Sequence, residues 1–179
     1  MDRRIDVYIS LGTNIGDRQN NIETALNLIS HIPGVKVGSV SEIIETEPWG
    51  FTSDRKFLNC VSRLEFFPDK TKMQLCNTDI RLSENNRLEE AIYLLNAFKN
   101  IEWAMGRRDK MEFDTLGNRV YHSRIIDIDI LLYGKYRIDT KKLVVPHPLM
   151  AERDFVMRPL MSIVDDGIKS EFPEIFQAK

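Results

Sequence analysis

Two aspartates interrupt the most apolar segment of this chain, residues 125–133, which read IIDIDILLY. The segment is rich in β-branched residues, is short for a helix and is followed by Gly134, so we predict a buried strand. Side chains two residues apart on a strand share a face, so Asp127 and Asp129 project together, about 6.5–7 Å apart. Buried like charges at this spacing repel unless cations lie between them, and Mg²⁺ takes such oxygen ligands. The alternative is a hydrated face on which both carboxylates meet water.

Composition limits the class of protein. The chain has 179 residues, about the size of one domain, and we predict a single domain over residues 1–179. A formal net charge of −2 offers no excess of positive potential to a polyanion, so we expect no nucleic acid partner. Two cysteines without metal-site spacing indicate a reducing compartment, and no apolar run has the length of a membrane span. We therefore expect a cytoplasmic protein without a membrane partner, and a monomer.

Strand-like and helix-like segments alternate irregularly along the chain. Apolar patterns predict strands at residues 7–11, 35–44 and 57–66, a helix after a turn at residues 12–17, and a later helix that ends near Gly106. The turn lacks the Gly-Lys-Ser/Thr of a phosphate-binding loop, and a simple strand-to-helix connection explains it. This order, with hairpins, predicts an α+β sandwich in which helices pack on a mainly antiparallel sheet.

Two stretches depart from this pattern. A polar insertion near residues 77–90 divides the helical region, and residues 107–123 mix basic and acidic side chains without a period. Long loops of the second kind often bind ligands or close over a site, so we expect residues 107–123 to be a mobile loop with such a role.

Arginines precede the aspartate strand. Arg107 begins the expected loop and Arg124 ends it, so their guanidinium groups are expected near the carboxylate pair, at the same end of the sheet. Arginine binds phosphate oxygens through paired hydrogen bonds, and carboxylates hold the metal ions that bridge phosphates. This combination predicts a phosphate-handling site. The alternative is that each arginine only balances a nearby acidic side chain.

An aromatic ring and an amide share one face of the predicted strand 57–66. There Phe57 could stack on a flat heterocycle while Asn59 binds its edge, although core packing and a strand bulge also explain the pair. Trp49, in the preceding loop, favours a pocket, because an exposed tryptophan is costly unless something covers it. His147 lies between two prolines that stiffen the backbone, and it either contacts a phosphate or packs in the interior.

Four segments are specific enough together to indicate a family. They are YISLGTNIGD at 8–17, ETEPWG at 45–50 with FLN at 57–59, RIIDIDILLY at 124–133, and VPHP at 145–148 with RDF at 153–155. In this order they resemble the 6-hydroxymethyl-7,8-dihydropterin pyrophosphokinase family of folate biosynthesis, over about residues 7 to 160. The resemblance implies a ferredoxin-like α+β fold and transfer of diphosphate from ATP, the co-substrate, to the pterin hydroxymethyl group, with release of AMP.

The resemblance also implies roles for residues at matching positions. Asp127 and Asp129 match the ligands of two Mg²⁺ ions, and with Arg107 and Arg124 they form the expected catalytic set. The positions that match ATP contacts are Glu102, Arg107, Arg124, Ile130, His147 and Arg153. The positions that match the pterin pocket are Thr46, Trp49, Phe57, Asn59 and Phe155. Three features depart from the family: Tyr121-His122-Ser123 stands where Trp-Gly-Pro is usual, the polar insertion near residues 77–90 lengthens the helical region, and Pro148 replaces a residue that is often aromatic.

Other functions fit part of this pattern. A different two-metal phosphoryl or nucleotidyl transferase could act on another small alcohol. A non-catalytic nucleotide- or pterin-binding domain would keep the pocket, but it has little reason to keep two repelling carboxylates. A pure interaction module predicts no metal-dependent stabilisation.

For the favoured reaction, no side chain is an obvious general base, so we expect positioning and electrostatics to dominate catalysis.

Overall fold

The fold is built on an antiparallel sheet whose strands come from both halves of the chain. The computed structural model describes residues 3–50, 53–69, 71, 73, 87–108, 112–113, 119–120 and 122–177. The strands are β1 (Ile5–Thr13), β2 (Val35–Val40), β3 (Ile44–Thr46), β4 (Phe57–Phe66), β5 (Glu112–Phe113), β6 (Arg119–Val120), β7 (Asp127–Tyr133), β8 (Ile138–Asp139) and β9 (Val144–Val145). The main sheet has the order β2-β4-β1-β7, and β3 also pairs with β4. β5 pairs with β6 and β8 with β9 in two small ladders.

Helices cover the two faces of the main sheet. They are α1 (Arg18–Ser30), α2 (Arg87–Ala104), α3 (Asp154–Met161), α4 (Asp166–Glu171) and α5 (Pro173–Phe176), with a 3-10 turn at Met150–Glu152. α1 begins where the Asp17 side chain accepts a hydrogen bond from the Asn20 N–H at 3.1 Å, a standard N-terminal cap. The predicted α+β class, a mainly antiparallel sheet with helices packed on it, is confirmed.

Strand periodicity divides the sheet into two faces with different partners. On one face, Val7 and Ile9 of β1 join a core with buried residues of α1 and α2. On the other, Tyr8 of β1 joins a second core with Val156 and Leu160 of α3 and with parts of the C-terminal helices. The alternation predicted for β4 is confirmed, because Cys60 and its alternate neighbours face the first core, whereas Val61 faces the second. The same face also carries Asn59, Asp127 and Asp129, which are not part of the second core and line a cavity.

The predicted strand 35–44 is wrong in its length, because the structure divides it into β2 and β3. β2 ends at Val40. At the next residue the Ser41 side chain takes the place of a backbone acceptor of the strand pairing, because its Oγ accepts a hydrogen bond from the Val61 N–H at 2.9 Å. β3 then pairs with β4 beside Asn59. The turn predicted at residues 12–17 also begins later, since β1 continues to Thr13.

The insertion predicted near residues 77–90 lies largely outside the described residues. Its last part, from Arg87 onward, forms the first turn of α2. Within the loop predicted at 107–123, β5 and β6 form a short antiparallel ladder, and its mobility stays a prediction. Among the helices that the structure describes, none is long and apolar enough to cross a membrane.

Candidate active site

A cavity of about 360 Å³ opens where β1, β4 and β7 reach the same end of the sheet. It gathers nearly all of the residues that the sequence singled out. The predicted site residues that line it are Thr46, Trp49, Phe57, Asn59, Glu102, Arg107, Arg124, Asp127, Asp129, His147, Arg153 and Phe155. Ile130 is absent from this lining, because its side chain is buried in the core with α1 and α2. Its assignment as an ATP contact stays a prediction.

Strand pairing sets the positions of the two aspartates. β7 pairs antiparallel with β1, so that Asp127 lies opposite Gly12 and Asp129 lies opposite Ser10. Both aspartates line the cavity, while Ile128 between them is buried in the opposite core. The predicted strand with both carboxylates on one face is therefore confirmed, and that face is turned toward a cavity.

Two arginines contact Asp127. Arg107 Nη1 donates to one Asp127 oxygen at 2.5 Å, and Arg124 Nη1 donates to the other oxygen. Burial alone would raise the pKa of the Asp127 carboxyl, but the charges and hydrogen bonds of the two arginines hold that pKa below its usual value. Asp127 is therefore ionised at neutral pH and is held in a guanidinium clamp.

Glu102, near the end of α2, links the helix to β7. Its Oε1 accepts hydrogen bonds from Arg107 Nη1 at 2.6 Å and from the Ile128 N–H at 2.7 Å. Burial and the nearby charge of Asp127 raise the pKa of the Glu102 carboxyl to about 7. Glu102 and Arg107 thus couple the end of α2 to the strand that carries the aspartates.

Asp129 has a different environment from Asp127. Burial and the Asp127 charge raise the pKa of its carboxyl to about 6, although Arg153, Arg124 and Arg107 oppose the shift. A buried carboxylate beside another negative charge is suited to a cation. In the described part of the chain, no three His, Cys, Asp or Glu side chains cluster as metal ligands. The pair fits Mg²⁺, which is commonly held by one or two carboxylates and completes its shell with water and substrate phosphates.

The opposite end of the cavity is formed by β3 and β4 and is neutral overall, because Glu47, which also lines the cavity, pairs with Lys56 at 2.8 Å. Asn59 Nδ2 donates to Thr46 Oγ1 at 2.7 Å, which fixes the orientation of the amide. Thr46 lies opposite Phe57 in the β3–β4 pairing, so the phenyl ring and the amide stand next to each other along one strand face. An aromatic surface beside a held amide can accept a flat heterocycle with polar edges.

Arg153 packs over Trp49, the loop tryptophan that we predicted to be covered by another group. The guanidinium carbon lies 4.7 Å from the centre of the Trp49 ring and 5.8 Å from that of Phe155. Trp49 still keeps 38% of its surface exposed. Arg153 therefore joins the aromatic wall of the cavity to its charged end.

His147 is held near the charged end as a neutral ring. Burial and the charge of Arg153 lower the pKa of the imidazole to about 4. Its Nδ1 lies 3.2 Å from the Leu149 N–H, which donates to it, so the neutral ring carries its proton on Nε2. The imidazole lines the cavity, and its contact with a phosphate stays a prediction.

The predicted strand-to-helix turn contains a positioning residue that the sequence reasoning missed. Asn14 is 2% exposed, and its Oδ1 accepts a hydrogen bond from the Arg124 N–H at 2.7 Å. The Asn14 N–H donates to the Arg124 carbonyl oxygen at 3.0 Å, and Asn14 Nδ2 donates to Ser123 Oγ at 2.9 Å. The turn therefore fixes the backbone of Arg124. The signal in the sequence was an asparagine inside a turn, which is too common to predict this contact.

Comparison with known proteins identifies the family. A family model for 7,8-dihydro-6-hydroxymethylpterin-pyrophosphokinase matches residues 8–165. A 2-amino-4-hydroxy-6-hydroxymethyldihydropteridine pyrophosphokinase of Porphyromonas gingivalis is 35% identical over 158 residues, which cover 88% of this chain and 89% of the relative. The enzyme of the same name from Bacillus subtilis is 34% identical over 156 residues, 87% of this chain and 76% of the relative.

A solved structure supports the fold. The crystal structure of an HPPK-DHPS protein in complex with substrates has a TM-score of 0.55 and 14% sequence identity. The match covers 98% of this chain and 44% of the other, and at this identity it shows the fold alone. With the sequence matches, it leads to one conclusion: the chain belongs to the 7,8-dihydro-6-hydroxymethylpterin-pyrophosphokinase family and is a pyrophosphokinase of folate biosynthesis.

Proposed function

We propose that the cavity at the end of β1, β4 and β7 is where diphosphate passes from ATP to the hydroxymethyl group of 6-hydroxymethyl-7,8-dihydropterin. One observation carries this proposal. A carboxylate pair with arginines and an amide with an aromatic ring line the same cavity, and the strand register connects them across β1. The charged end suits a triphosphate with its metal ions, and the neutral end suits a pterin.

At the charged end, Asp127 and Asp129 would hold two Mg²⁺ ions together with the triphosphate. Bound there, the ions supply positive charge that offsets the negative charge of the phosphate oxygens. For Asp127 to coordinate a cation, it has to exchange part of its clamp with Arg107 and Arg124. The released guanidinium groups can then donate to phosphate oxygens, which are anionic acceptors that arginine also binds through paired hydrogen bonds.

The remaining residues of the charged end orient the nucleotide. Glu102 keeps Arg107 close to β7, and the neutral His147 can donate from Nε2 to a phosphate oxygen or to the nucleotide. Arg153 is positioned to contact the triphosphate from the side of the aromatic wall. We assign ATP contacts to Glu102, Arg107, Arg124, Ile130, His147 and Arg153.

At the neutral end, the pterin would lie against Phe57 and Phe155, with one polar edge on the Asn59 amide. Thr46 holds that amide, and Trp49 closes the aromatic wall. Such an arrangement recognises a flat bicyclic ring by stacking and by paired hydrogen bonds along its edge. The hydroxymethyl group then points across β1 toward the aspartates.

The reaction is an in-line displacement. The hydroxymethyl oxygen attacks the β-phosphorus of ATP, the bond from that phosphorus to the oxygen bridging to the α-phosphate breaks, AMP leaves, and the hydroxyl proton passes to solvent. The chain contributes positioning of both substrates and donors aimed at the phosphate oxygens on which charge develops. We assign no side chain as general base, and the catalytic set is Arg107, Arg124, Asp127 and Asp129.

We further propose that the enzyme works as a monomer in the cytoplasm, without a nucleic acid or membrane partner. The formal charge of −2 supports the absence of a nucleic acid partner, and the two cysteines support a reducing compartment. Sedimentation of the purified protein at micromolar concentration tests the oligomeric state, and a stable dimer would contradict a monomer.

Analysis of the nucleotide products tests the reaction itself. The purified chain is mixed with ATP, Mg²⁺ and 6-hydroxymethyl-7,8-dihydropterin, and the products are separated by chromatography. We expect AMP and the pterin diphosphate in equal amounts. Release of ADP would instead favour a different transferase, and intact ATP with a folded protein would favour a binding domain. An Asp129→Ala variant is the control, and normal turnover by that variant would overturn the assigned site.

A further inference from the structure

Gly12 lies at the junction between the two ends of the cavity. In the sheet it pairs with Asn59 of β4 on one side and with Asp127 of β7 on the other. Neighbouring strands are about 4.8 Å apart, so Asn59, Gly12 and Asp127 form a row about 10 Å long across the floor of the cavity. Gly12 is buried and belongs to the lining. The row runs from the proposed pterin contact to the proposed metal ligand.

A side chain at Gly12 would meet the amide of Asn59. An added Cβ would lie 2.8 Å from Asn59 Oδ1 and 3.8 Å from Phe57 Cδ1, and the third nearest atom, at 4.0 Å, is again of Asn59. Carbon and oxygen atoms that are not bonded stay farther apart than 2.8 Å, so the amide would have to move. None of the three nearest atoms belongs to Asp127, so the methyl group would leave the metal end in place.

The backbone at Gly12 does not itself require glycine. Among the described residues, the glycines with positive φ are Gly16, Gly34, Gly50, Gly106 and Gly134, and Gly12 is not one of them. The conflict is therefore with the end of a side chain, which can rotate away at little cost to folding. The clash should therefore impair mainly the binding of a substrate that contacts the Asn59 amide.

We propose that Gly12 is a positioning residue for the pterin, because its missing side chain leaves the Asn59 amide in the orientation that the substrate edge requires. Thr46 holds the amide from one side through the 2.7 Å hydrogen bond, and the bare α-carbon of Gly12 leaves room on the other side. The inference rests on the pterin pocket assigned under the proposed function.

A Gly12→Ala variant tests this inference through steady-state kinetics. We expect the KM for the pterin to rise roughly 10- to 100-fold, the range in which one mispaired buried polar group weakens binding. We expect the KM for ATP to stay within about twofold and the thermal unfolding midpoint to stay near that of the parent. Gly167→Ala is the matched control, since a Cβ at Gly167 in α4 meets nothing within 4 Å. Its kinetics should be unchanged.

A double-mutant cycle shows whether Gly12 acts through Asn59. Asn59→Ala alone should raise the pterin KM by a similar factor, and Gly12→Ala should add less than about twofold in that background, because the methyl group then has no amide to displace. An equal effect of Gly12→Ala in both backgrounds would overturn the inference. So would a Gly12→Ala enzyme with the parent's pterin KM, or one whose KM for ATP rises equally.

Two further results keep the pocket and the inference separable. If Asn59→Ala leaves the pterin KM unchanged, the pocket assignment fails and the inference with it; if only Gly12→Ala has no effect, the inference alone fails. Should Gly12→Ala not fold, Thr46→Val provides the second route, because it removes the acceptor that holds the amide from the other side. A pterin KM that does not respond to Thr46→Val would then contradict positioning of the amide.

Discussion

The two ends of the cavity are built on different principles. The proposed pterin end is neutral, is formed by β3 and β4, and has its amide already fixed by the hydrogen bond from Asn59 to Thr46. The proposed nucleotide end is charged and draws its groups from α2, β7 and the segment before β7. Here Asp127 is bound by Arg107 and Arg124, and Asp129 lies beside it with a raised pKa.

This difference indicates how each end meets its substrate. The amide and rings of the neutral end need little rearrangement, so binding there depends on shape and on fixed hydrogen bonds. In the proposed reaction, ion pairs inside the protein at the charged end are exchanged for ion pairs with metal and phosphate. Charges in that end therefore affect stability and catalysis together, whereas changes at the neutral end should affect mainly the KM for the pterin.

The largest expected effect separates the two aspartates. Asp129→Asn should lower kcat roughly 100- to 1000-fold, because it removes a negative charge that is proposed to hold the metal ions that bind the phosphates. The pKa of Asp129 is raised in the fold to about 6, so above that pH the carboxyl is ionised and its charge destabilises the fold. At pH 8 without metal, the variant, which lacks this charge, should therefore unfold at a higher temperature than the parent. Activity and thermal unfolding with and without Mg²⁺-ATP measure both effects.

Asp127→Asn is the matched control for that experiment. It is the same change two residues away on the same face, but it removes the negative charge that Arg107 and Arg124 both contact. Activity should fall as it does for Asp129→Asn, while the unfolding temperature should fall instead of rising. Equal loss of stability in both variants would contradict the different environments of the two carboxylates.

A second, smaller effect concerns Arg107. Its side chain is 17% exposed and bridges Glu102 and Asp127, so Arg107→Ala removes the cation between these two carboxylates and leaves Arg124 on Asp127. Loss of one partner from such a buried network costs about 3 kcal/mol of unfolding free energy. Urea unfolding at pH 8 measures the loss. Adding Glu102→Gln should recover part of it, and a double variant no more stable than Arg107→Ala would contradict the bridging role.

Much of the neutral end and of β7 was predictable because strand periodicity is a local property. A period of two residues placed Asp127 with Asp129, and Phe57 with Asn59, on common faces, and the structure agrees. The fold class follows from the same patterns. The break between β2 and β3 escaped prediction because it depends on the contact of Ser41 with Val61, twenty residues farther along the chain.

The contacts that organise the charged end could not be predicted from the sequence. Asn14 holds Arg124, a residue 110 positions away, and Glu102 reaches the backbone of Ile128 from a different element. The position of Gly12 between Asn59 and Asp127 depends on the register of two strand pairs. Spacing along the chain carries no information about such pairings, so the resemblance could indicate residue types but not these interactions.

A third prediction follows the residue that joins the two ends. The chain has two tryptophans, so Trp103→Phe leaves Trp49, with Arg153 stacked 4.7 Å above its ring, as the single reporter. If Arg153 turns to the triphosphate, the emission of Trp49 should change when Mg²⁺-ATP binds. Fluorescence titration with Mg²⁺-ATP measures it, and Mg²⁺ alone is the control. Unchanged emission at saturating nucleotide would show that Arg153 stays on the aromatic wall.

The smallest expected effect concerns His147 and the dependence of stability on pH. Its pKa is lowered in the fold to about 4, against about 6.5 in an unfolded chain, so between these values the unfolded state binds the proton more tightly. The contribution of His147 to stability is therefore present above about pH 6.5 and is lost as the pH falls toward 4. Asp129 and Glu102 act in the opposite direction, because their pKa values are raised and their protonation favours the fold.

Comparison with a His147→Gln variant isolates the histidine, since both proteins keep the two carboxyl groups. The difference in urea midpoint between the parent and this variant should be larger at pH 7.5 than at pH 5, with the parent losing more stability on acidification. A difference that does not change with pH would mean that His147 titrates normally in the fold. The imidazole at the charged end would then be hydrated. In that case only the arginine and carboxylate groups there would exchange partners when the nucleotide binds.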